Sequence, residues 1–255
     1  MKSTIIVANW KMHHGPGQTR RYLEAFVPLM KDLPVDRQVI ICPPSISLAA
    51  ALEATGGTPI KVGAQNVHQQ ESGAYTGEIS AAMLAEAGVE YAIVGHSERR
   101  QLFGETDSLV NQKALALQNC GVLPIVCVGE TLEQRQSGEA QATVRQQVEA
   151  AVAGLDLQRL CIAYEPVWAI GTGQTATPED AQEIHSVVRD VLRSFGDATA
   201  VPVLYGGSVK PDSVDELMAQ PDINGALVGG ASLLVESFQR ICCYQSISPF
   251  GRGVE

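Results

Sequence analysis

Three side chains of complementary chemistry stand where short apolar runs end. Glu165 follows Cys161-Ile162-Ala163-Tyr164, His96 follows Ile93-Val94-Gly95, and Lys11 follows Val7-Ala8-Asn9-Trp10. A carboxylate, an imidazole and an ammonium brought together can take a proton from carbon, serve the neighbouring oxygens and balance the charge that develops. A carboxylate at the end of a buried run is costly unless it is used or paired. Pro166 biases Glu165 toward an extended backbone that aims its side chain outward from the run. If helix begins at Ser97, His96 lies at a helix N-terminus. That positive end lowers the imidazole pKa and keeps the ring neutral, able to give a proton to an oxyanion and take it back. Lys11 by itself reads as an ordinary solvated amine, and His96 by itself as a structural histidine; the dense polar run Ser97-Glu98-Arg99-Arg100 favours function.

Two further run ends carry paired glycines: Tyr205-Gly206-Gly207-Ser208 and Val228-Gly229-Gly230-Ala231-Ser232. Such pairs let backbone N–H groups approach a ligand closely, and a short helix after the second pair points its N-terminus at an anion. Between Cys161 and Gln239 the only Lys or Arg residues are Arg189, Arg193 and Lys210, with both arginines inside an expected helix. A phosphate at these loops is therefore expected to be held mainly by backbone amides. After Glu165 the segment Val167-Trp168-Ala169-Ile170-Gly171-Thr172-Gly173 is apolar and glycine-bearing. It reads either as a closing lid that desolvates Glu165 or as a connector whose Trp168 packs permanently.

These residues need a scaffold that gathers strand ends. Eight apolar runs recur, ending at Val7-Ala8-Asn9, Ile40-Ile41-Cys42, Val62-Gly63-Ala64, Ile93-Val94-Gly95, Val126-Cys127-Val128, Ile162-Ala163-Tyr164, Val203-Leu204-Tyr205 and Ala226-Leu227-Val228. Continuous apolar runs suit parallel strands buried on both faces. Helices are expected between them. One spans Asp107 to Asn119, and one opens at Thr177-Pro178-Glu179 and reaches Phe195. Shorter ones cover Ser213 to Ala219 and Ser232 to Ile241. Eight strand–helix units in 255 residues match an α/β fold, a single (β/α)8 barrel with outer helices over residues 1–245 and a polar tail at 246–255. A doubly wound open sheet is the rival, but no dinucleotide fingerprint follows the first run.

Composition narrows the partners. A formal net charge of −10 argues against nonspecific nucleic-acid binding and against an anionic membrane surface. No apolar stretch reaches membrane-spanning length, and the early run stops at Asn9, short of a signal-peptide core. The six cysteines form no C-x-x-C pair, so a reducing, cytoplasmic setting is expected. No cofactor and no metal are expected. His13-His14 are adjacent and cannot share a helix face, and no third ligand is evident.

The motifs together resemble the triosephosphate isomerase family from about Ile5 to Ile241. They are Ala8-Asn9-Trp10-Lys11-Met12, Gly73-Ala74-Tyr75-Thr76-Gly77-Glu78, Gly95 to Arg100, Cys127-Val128-Gly129-Glu130, Ala163 to Gly173, Tyr205 to Val209 and Leu227 to Ser232. The resemblance implies proton transfer between dihydroxyacetone phosphate and D-glyceraldehyde 3-phosphate through an enediolate, in glycolysis and gluconeogenesis. It implies Glu165 as the base, a role for which this family is a standard illustration, as it is for the neutral histidine and the lid. His96 is then the electrophile, Lys11 the charge-balancing cation, Asn9 its placing partner and Glu98 the acid that pairs with Lys11. Gly171, Ser208, Gly229 and Gly230 are implied as phosphate-binding amides. Ile170 and Leu227 are implied as an apolar clamp on the base, closed by the lid that holds Trp168, and Cys127 stands beside the base with an indirect role. The polar segment from Gln65 to Glu78 otherwise reads as a solvated insertion. The resemblance makes it an arm that places Thr76 in a second subunit, hence a homodimer. Gln174 departs from the lysine that many members carry at the rear hinge of the lid.

Rival readings are an epimerase of a larger sugar phosphate, a glycoside hydrolase using Glu98 and Glu165 as paired carboxylates, and a catalytically idle barrel kept for an interaction. The hydrolase would leave His96, Lys11 and the glycine-rich loops without a task.

Overall fold

The structure is a computed structural model that describes residues 4–169 and 176–247. Eight parallel strands close into a barrel in chain order. They are β1 (Thr4–Asn9), β2 (Arg37–Cys42), β3 (Lys61–Ala64), β4 (Tyr91–Val94), β5 (Leu123–Val128), β6 (Cys161–Tyr164), β7 (Val203–Tyr205) and β8 (Gly225–Val228). Every apolar run became a strand. The fourth stops one residue early, at Val94, because Gly95 turns to φ 69° and leaves the extended region. β1 closes on β8, with Ile5 opposite Gly225 and Ala8 opposite Val228.

Parallel neighbours need long crossovers, and helices fill them. These are α1 (Pro16–Phe26), α2 (Leu48–Thr55), α3 (Ala81–Glu86), α4 (Ser97–Phe103), α5 (Asp107–Asn119), α6 (Leu132–Gln136), α7 (Ala140–Val152), α8 (Pro178–Phe195), α9 (Val214–Met218) and α10 (Val235–Cys242). The start of α8 shows why its sequence signal was readable. Asp180 donates its N–H to the Thr177 hydroxyl at 3.1 Å, and its carboxylate accepts the Thr177 N–H at 3.1 Å. Pro178 occupies the first helical turn, where its missing N–H costs nothing. The segment expected as one helix from Ser232 is instead a 3-10 turn, Gly230–Leu233, followed by α10.

Alternation along each strand builds two layers. Ile5 and Val7, Tyr91 and Ile93, Ile125 and Cys127, Cys161 and Ala163, Leu204 and Leu227 belong to the inner cluster. Their neighbours Ile6, Ala8, Val94, Val126, Ile162 and Val228 belong to the outer cluster, with Val110 and Leu117 of α5 and Ile184 and Leu192 of α8. All six cysteines are free thiols. No helix among the described residues is long and apolar enough to cross a membrane.

Candidate active site

The same alternation predicts what lies at the mouth of the barrel. One inward step past the inner cluster reaches Asn9, Gln65, Gly95, Gly129, Glu165, Gly206 and Gly229. The glycines keep this layer open, and two of them make room for Glu165. A Cβ on Gly129 would fall 1.7 Å from the Glu165 carbonyl oxygen, and one on Gly206 would fall 2.8 Å from Glu165 Cγ. The resulting pocket of about 350 Å³ is lined by Asn9, Lys11, His96 and Glu165. Gly206 to Lys210, Leu227 and Gly229 to Ala231 complete the lining. That volume suits a small ligand.

Glu165 is buried and extensively paired. Its carboxylate accepts the Ser97 N–H at 2.9 Å and the Ser97 hydroxyl at 3.3 Å, and lies 3.0 Å from His96 Nε2. Burial alone would raise its pKa, but His96, the Ser97 N–H and Lys11 outweigh burial and hold the carboxyl below the usual glutamate range. His96 is the N-cap of α4, as the sequence suggested, and its Nδ1 accepts the Glu98 N–H at 3.2 Å. That bond needs the Nδ1 lone pair, so the ring carries its proton on Nε2, facing Glu165. The expected lowering of the His96 pKa does not survive in this arrangement. Burial does push it down, but the adjacent Glu165 carboxylate outweighs burial and the net direction is up.

Lys11 adopts a left-handed backbone, φ 49°, a conformation that costs a non-glycine residue about 1–2 kcal/mol. Both of its backbone polar groups are held there. Its N–H donates to Asn9 Oδ1 at 3.1 Å, and its carbonyl accepts from Gln65 Nε2 at 2.9 Å. The same Gln65 nitrogen donates to the Cys42 carbonyl at 2.9 Å. The Lys11 ammonium meets Glu98 at 2.6 Å. Glu98 is thus engaged by Lys11, which weakens the reading of Glu98 and Glu165 as a hydrolytic carboxylate pair. Beneath the layer, burial first and Glu165 second push the Cys127 thiol well above its ordinary value, so it stays neutral.

In the glycine-bearing loops, no partner among the described residues takes the N–H groups of Ser208, Gly229 or Gly230. The Gly229 carbonyl is spent on Ser232, whose N–H and hydroxyl reach it at 2.8 and 2.7 Å. The Gly230–Leu233 turn takes the place of the start of the expected helix, so the donors here are loop amides and not a helix N-terminus.

The structure therefore brings Asn9, Lys11, His96, Glu165, Ser208, Leu227, Gly229 and Gly230 around one pocket, with Glu98 one contact behind Lys11. Thr76 is exposed on the arm after β3 and is not part of the pocket lining. Trp168 sits in the 3-10 turn Val167–Ala169 and donates its Nε1–H to Glu130 at 2.8 Å. Ile170, Gly171 and Gln174 lie outside the described residues. Two participants were given no role in the sequence reading. Gln65 was taken as the start of a solvated loop, although its inward register marked it. Glu130, fully buried, also accepts from the Tyr164 hydroxyl at 3.0 Å; a glutamate following an apolar run was its signal.

Comparison with known proteins agrees with this geometry. The family model described as triosephosphate isomerase matches residues 4–245. The triosephosphate isomerase of Herpetosiphon aurantiacus is 52% identical over 247 residues, covering 94% of this chain and 98% of that protein. That of Acaryochloris marina is 49% identical over 245 residues, covering 96% and 100%. The crystal structure of triosephosphate isomerase from Bartonella henselae superposes with a TM-score of 0.86 at 40% identity, covering 94% of this chain and 98% of that one. On these matches, spanning nearly the whole chain and the barrel that carries the pocket, this chain belongs to the triosephosphate isomerase family.

Proposed function

We propose that Glu165, His96 and Lys11 carry the interconversion of dihydroxyacetone phosphate and D-glyceraldehyde 3-phosphate, the glycolytic isomerisation that the chain performs as a member of its family. The observation that carries this assignment is the 3.0 Å approach of the Glu165 carboxylate to His96 Nε2 in a pocket lined by loop amides that have no partner among the described residues.

The steps follow from the chemistry of the groups. The phosphate rests on the amides of Ser208, Gly229 and Gly230, joined by Gly171. This leaves the two reacting carbons between Glu165 and His96. Substrate draws the Glu165 carboxylate away from Ser97, and Glu165 takes a proton from C1 of the ketone. His96 supplies its Nε2 proton to the C2 oxygen and recovers one from the C1 oxygen. Glu165 then returns its proton to C2, giving the aldehyde with no net redox change. Once the carboxylate turns to the substrate, its support for a protonated imidazole weakens. Burial and the Glu98 N–H on Nδ1 then favour the neutral ring. Lys11, placed by Asn9 and paired with Glu98, offsets the enediolate charge. In a water-poor pocket that preorganised charge is the largest single contribution. The segment with Trp168 and Ile170 acts as the lid, and Ile170 with Leu227 clamps the base, which excludes water and protects the intermediate from phosphate loss.

We further assign residues 1–245 to the catalytic barrel, 246–255 to a tail, and the protein to the cytoplasm as a homodimer joined through the arm around Thr76. Exposed apolar side chains near this end of the barrel support the dimer: Met12 is 93% exposed, Leu102 74% and Phe103 67%. Buried against a second copy, they supply the apolar core that a stable interface needs.

The test of the proton-transfer reading is turnover in D2O. A base exchanging with solvent leaves deuterium on the carbon skeleton of the product, seen by NMR as loss of the C2 proton signal in glyceraldehyde 3-phosphate. Product formed with no deuterium at any extent of reaction, together with undiminished turnover in Glu165→Gln, indicates direct hydride migration and overturns the role given to Glu165.

A further inference from the structure

The protein carries a net charge of −10, yet the reaction assigned above needs a phosphorylated, anionic substrate, which such a field repels. Cations at the pocket decide whether capture is fast. Only two line it among the described residues, Lys11 and Lys210. Lys11 is paired with Glu98 at 2.6 Å and is committed to the reacting oxygens.

The other cations of the β6–β8 half are occupied elsewhere. Arg189 donates to the carbonyls of Ala198 and Val201 at 3.0 and 2.7 Å and to Asn224 at 2.6 Å. Arg193 pairs with Asp190 at 2.9 Å. Lys210 differs from both. It is exposed, and among the described residues its ammonium has no ion pair and no hydrogen bond. The acids that follow it are turned to another task. Asp215 grips Arg240 through both oxygens, at 3.0 and 2.5 Å, and Asp212 also acts on Arg240.

The base of the side chain is fixed. Val209 before it is buried, and the Lys210 carbonyl accepts the N–H groups of Ser213 and Val214 at 3.2 and 3.1 Å. A flexible stem with a compact, hydrated charge therefore rises from a fixed backbone, two residues after Ser208, at the wall where the phosphate is expected. A lysine ammonium acts there as a point charge and not as a bidentate fork.

We propose that Lys210 is a substrate-capturing cation, drawing the phosphate dianion onto the loop amides of Ser208, Gly229 and Gly230. It lies away from the reacting carbons, so it raises capture and retention of substrate and does not take part in proton transfer. This rests on the isomerase reading above, and the experiment separates the two.

The test compares wild type, Lys210→Met and Lys210→Arg with glyceraldehyde 3-phosphate at ionic strengths from about 0.01 M to about 1 M, where the screening length falls from about 30 Å to about 3 Å. At the low end Lys210→Met is expected to lose about threefold to tenfold in kcat/KM, through KM, with kcat held within about twofold. Inhibition by inorganic phosphate weakens by a similar factor. The difference closes as salt rises, and Lys210→Arg restores most of the loss. Equal kcat/KM for wild type and Lys210→Met at low salt overturns the proposal, as does a loss that is the same at every ionic strength. If wild type shows no turnover, the isomerase reading fails, and calorimetric titration with inorganic phosphate still decides the point. Weaker binding by Lys210→Met supports the capture site, and equal binding removes it.

Discussion

The Glu165 carboxylate lies 3.0 Å from His96 Nε2, although the two residues leave the barrel from β6 and β4, with β5 between them. Gly129 makes this meeting possible. It continues β5 between them with no side chain, and any Cβ there would strike the Glu165 backbone. The base and the electrophile are therefore positioned by strand register and by a missing side chain more than by each other.

Lys11 depends on a residue that touches no reacting atom. Gln65 bridges the carbonyls of Lys11 and Cys42, and so holds a backbone conformation that lysine does not favour. Gln65→Ala is expected to lower kcat/KM about tenfold while costing about 1–3 kcal/mol of stability, the usual worth of two hydrogen bonds of this kind. Gln65→Glu removes the donor but keeps the shape, and should be at least as poor. Steady-state kinetics beside urea unfolding checks this; activity equal to wild type in both variants would show that Lys11 holds its conformation unaided.

His185 sets an acid limit on stability. It is buried in α8 against the rings of Tyr164 and Tyr205, with its Nδ1 2.7 Å from the Ala181 carbonyl. Burial, only partly offset by the backbone of Ala181 and Leu204, pushes its pKa down to about 4. In the unfolded chain it titrates near 6.5. Between those values the unfolded chain binds a proton that the folded protein refuses, so stability falls as pH drops from about 6.5 to about 4. The loss attributable to this residue reaches on the order of 3 kcal/mol. Urea unfolding at fixed protein concentration across that window should show a shallower pH slope for His185→Gln than for wild type. Parallel slopes would remove His185 as the cause.

The dimer assignment is expected to show directly in sedimentation. At micromolar concentration the protein should run with twice its 27.1 kDa chain mass. Thr76→Arg, on the exposed arm, should shift the equilibrium toward monomer and lower activity together with it. A fully active monomer would leave the arm as a solvated insertion.

Much of this architecture was legible from the chain. Buried parallel strands need long apolar runs, so all eight appeared as such; α5 spans the segment expected, and α8 opens on the Thr177-Pro178 cap that the sequence offered. Glu165, His96 and Lys11 were visible because polar chemistry at the end of an apolar run needs a reason. The roles of Gln65 and Glu130 were not, because each acts through partners distant in sequence: Lys11 and Cys42 for one, Tyr164 and Trp168 for the other. The His96 pKa was misjudged for a related reason. The helix N-terminus was local and visible, whereas the carboxylate that outweighs burial arrives from another strand. The helix expected from Ser232 begins only at Val235, because paired glycines do not distinguish a tight turn from the start of a helix.

The central claim is that Glu165 is the base, and a coupled assay with glyceraldehyde 3-phosphate tests it most directly, comparing wild type with Glu165→Gln. Glutamine keeps the shape and the contact with Ser97 but removes the basic oxygen. Wild type should turn over rapidly, and the variant should lose about 10²- to 10⁴-fold in kcat, the range attributed to a positioned general base, with its circular dichroism unchanged. Turnover in a folded Glu165→Gln protein equal to wild type would contradict the account.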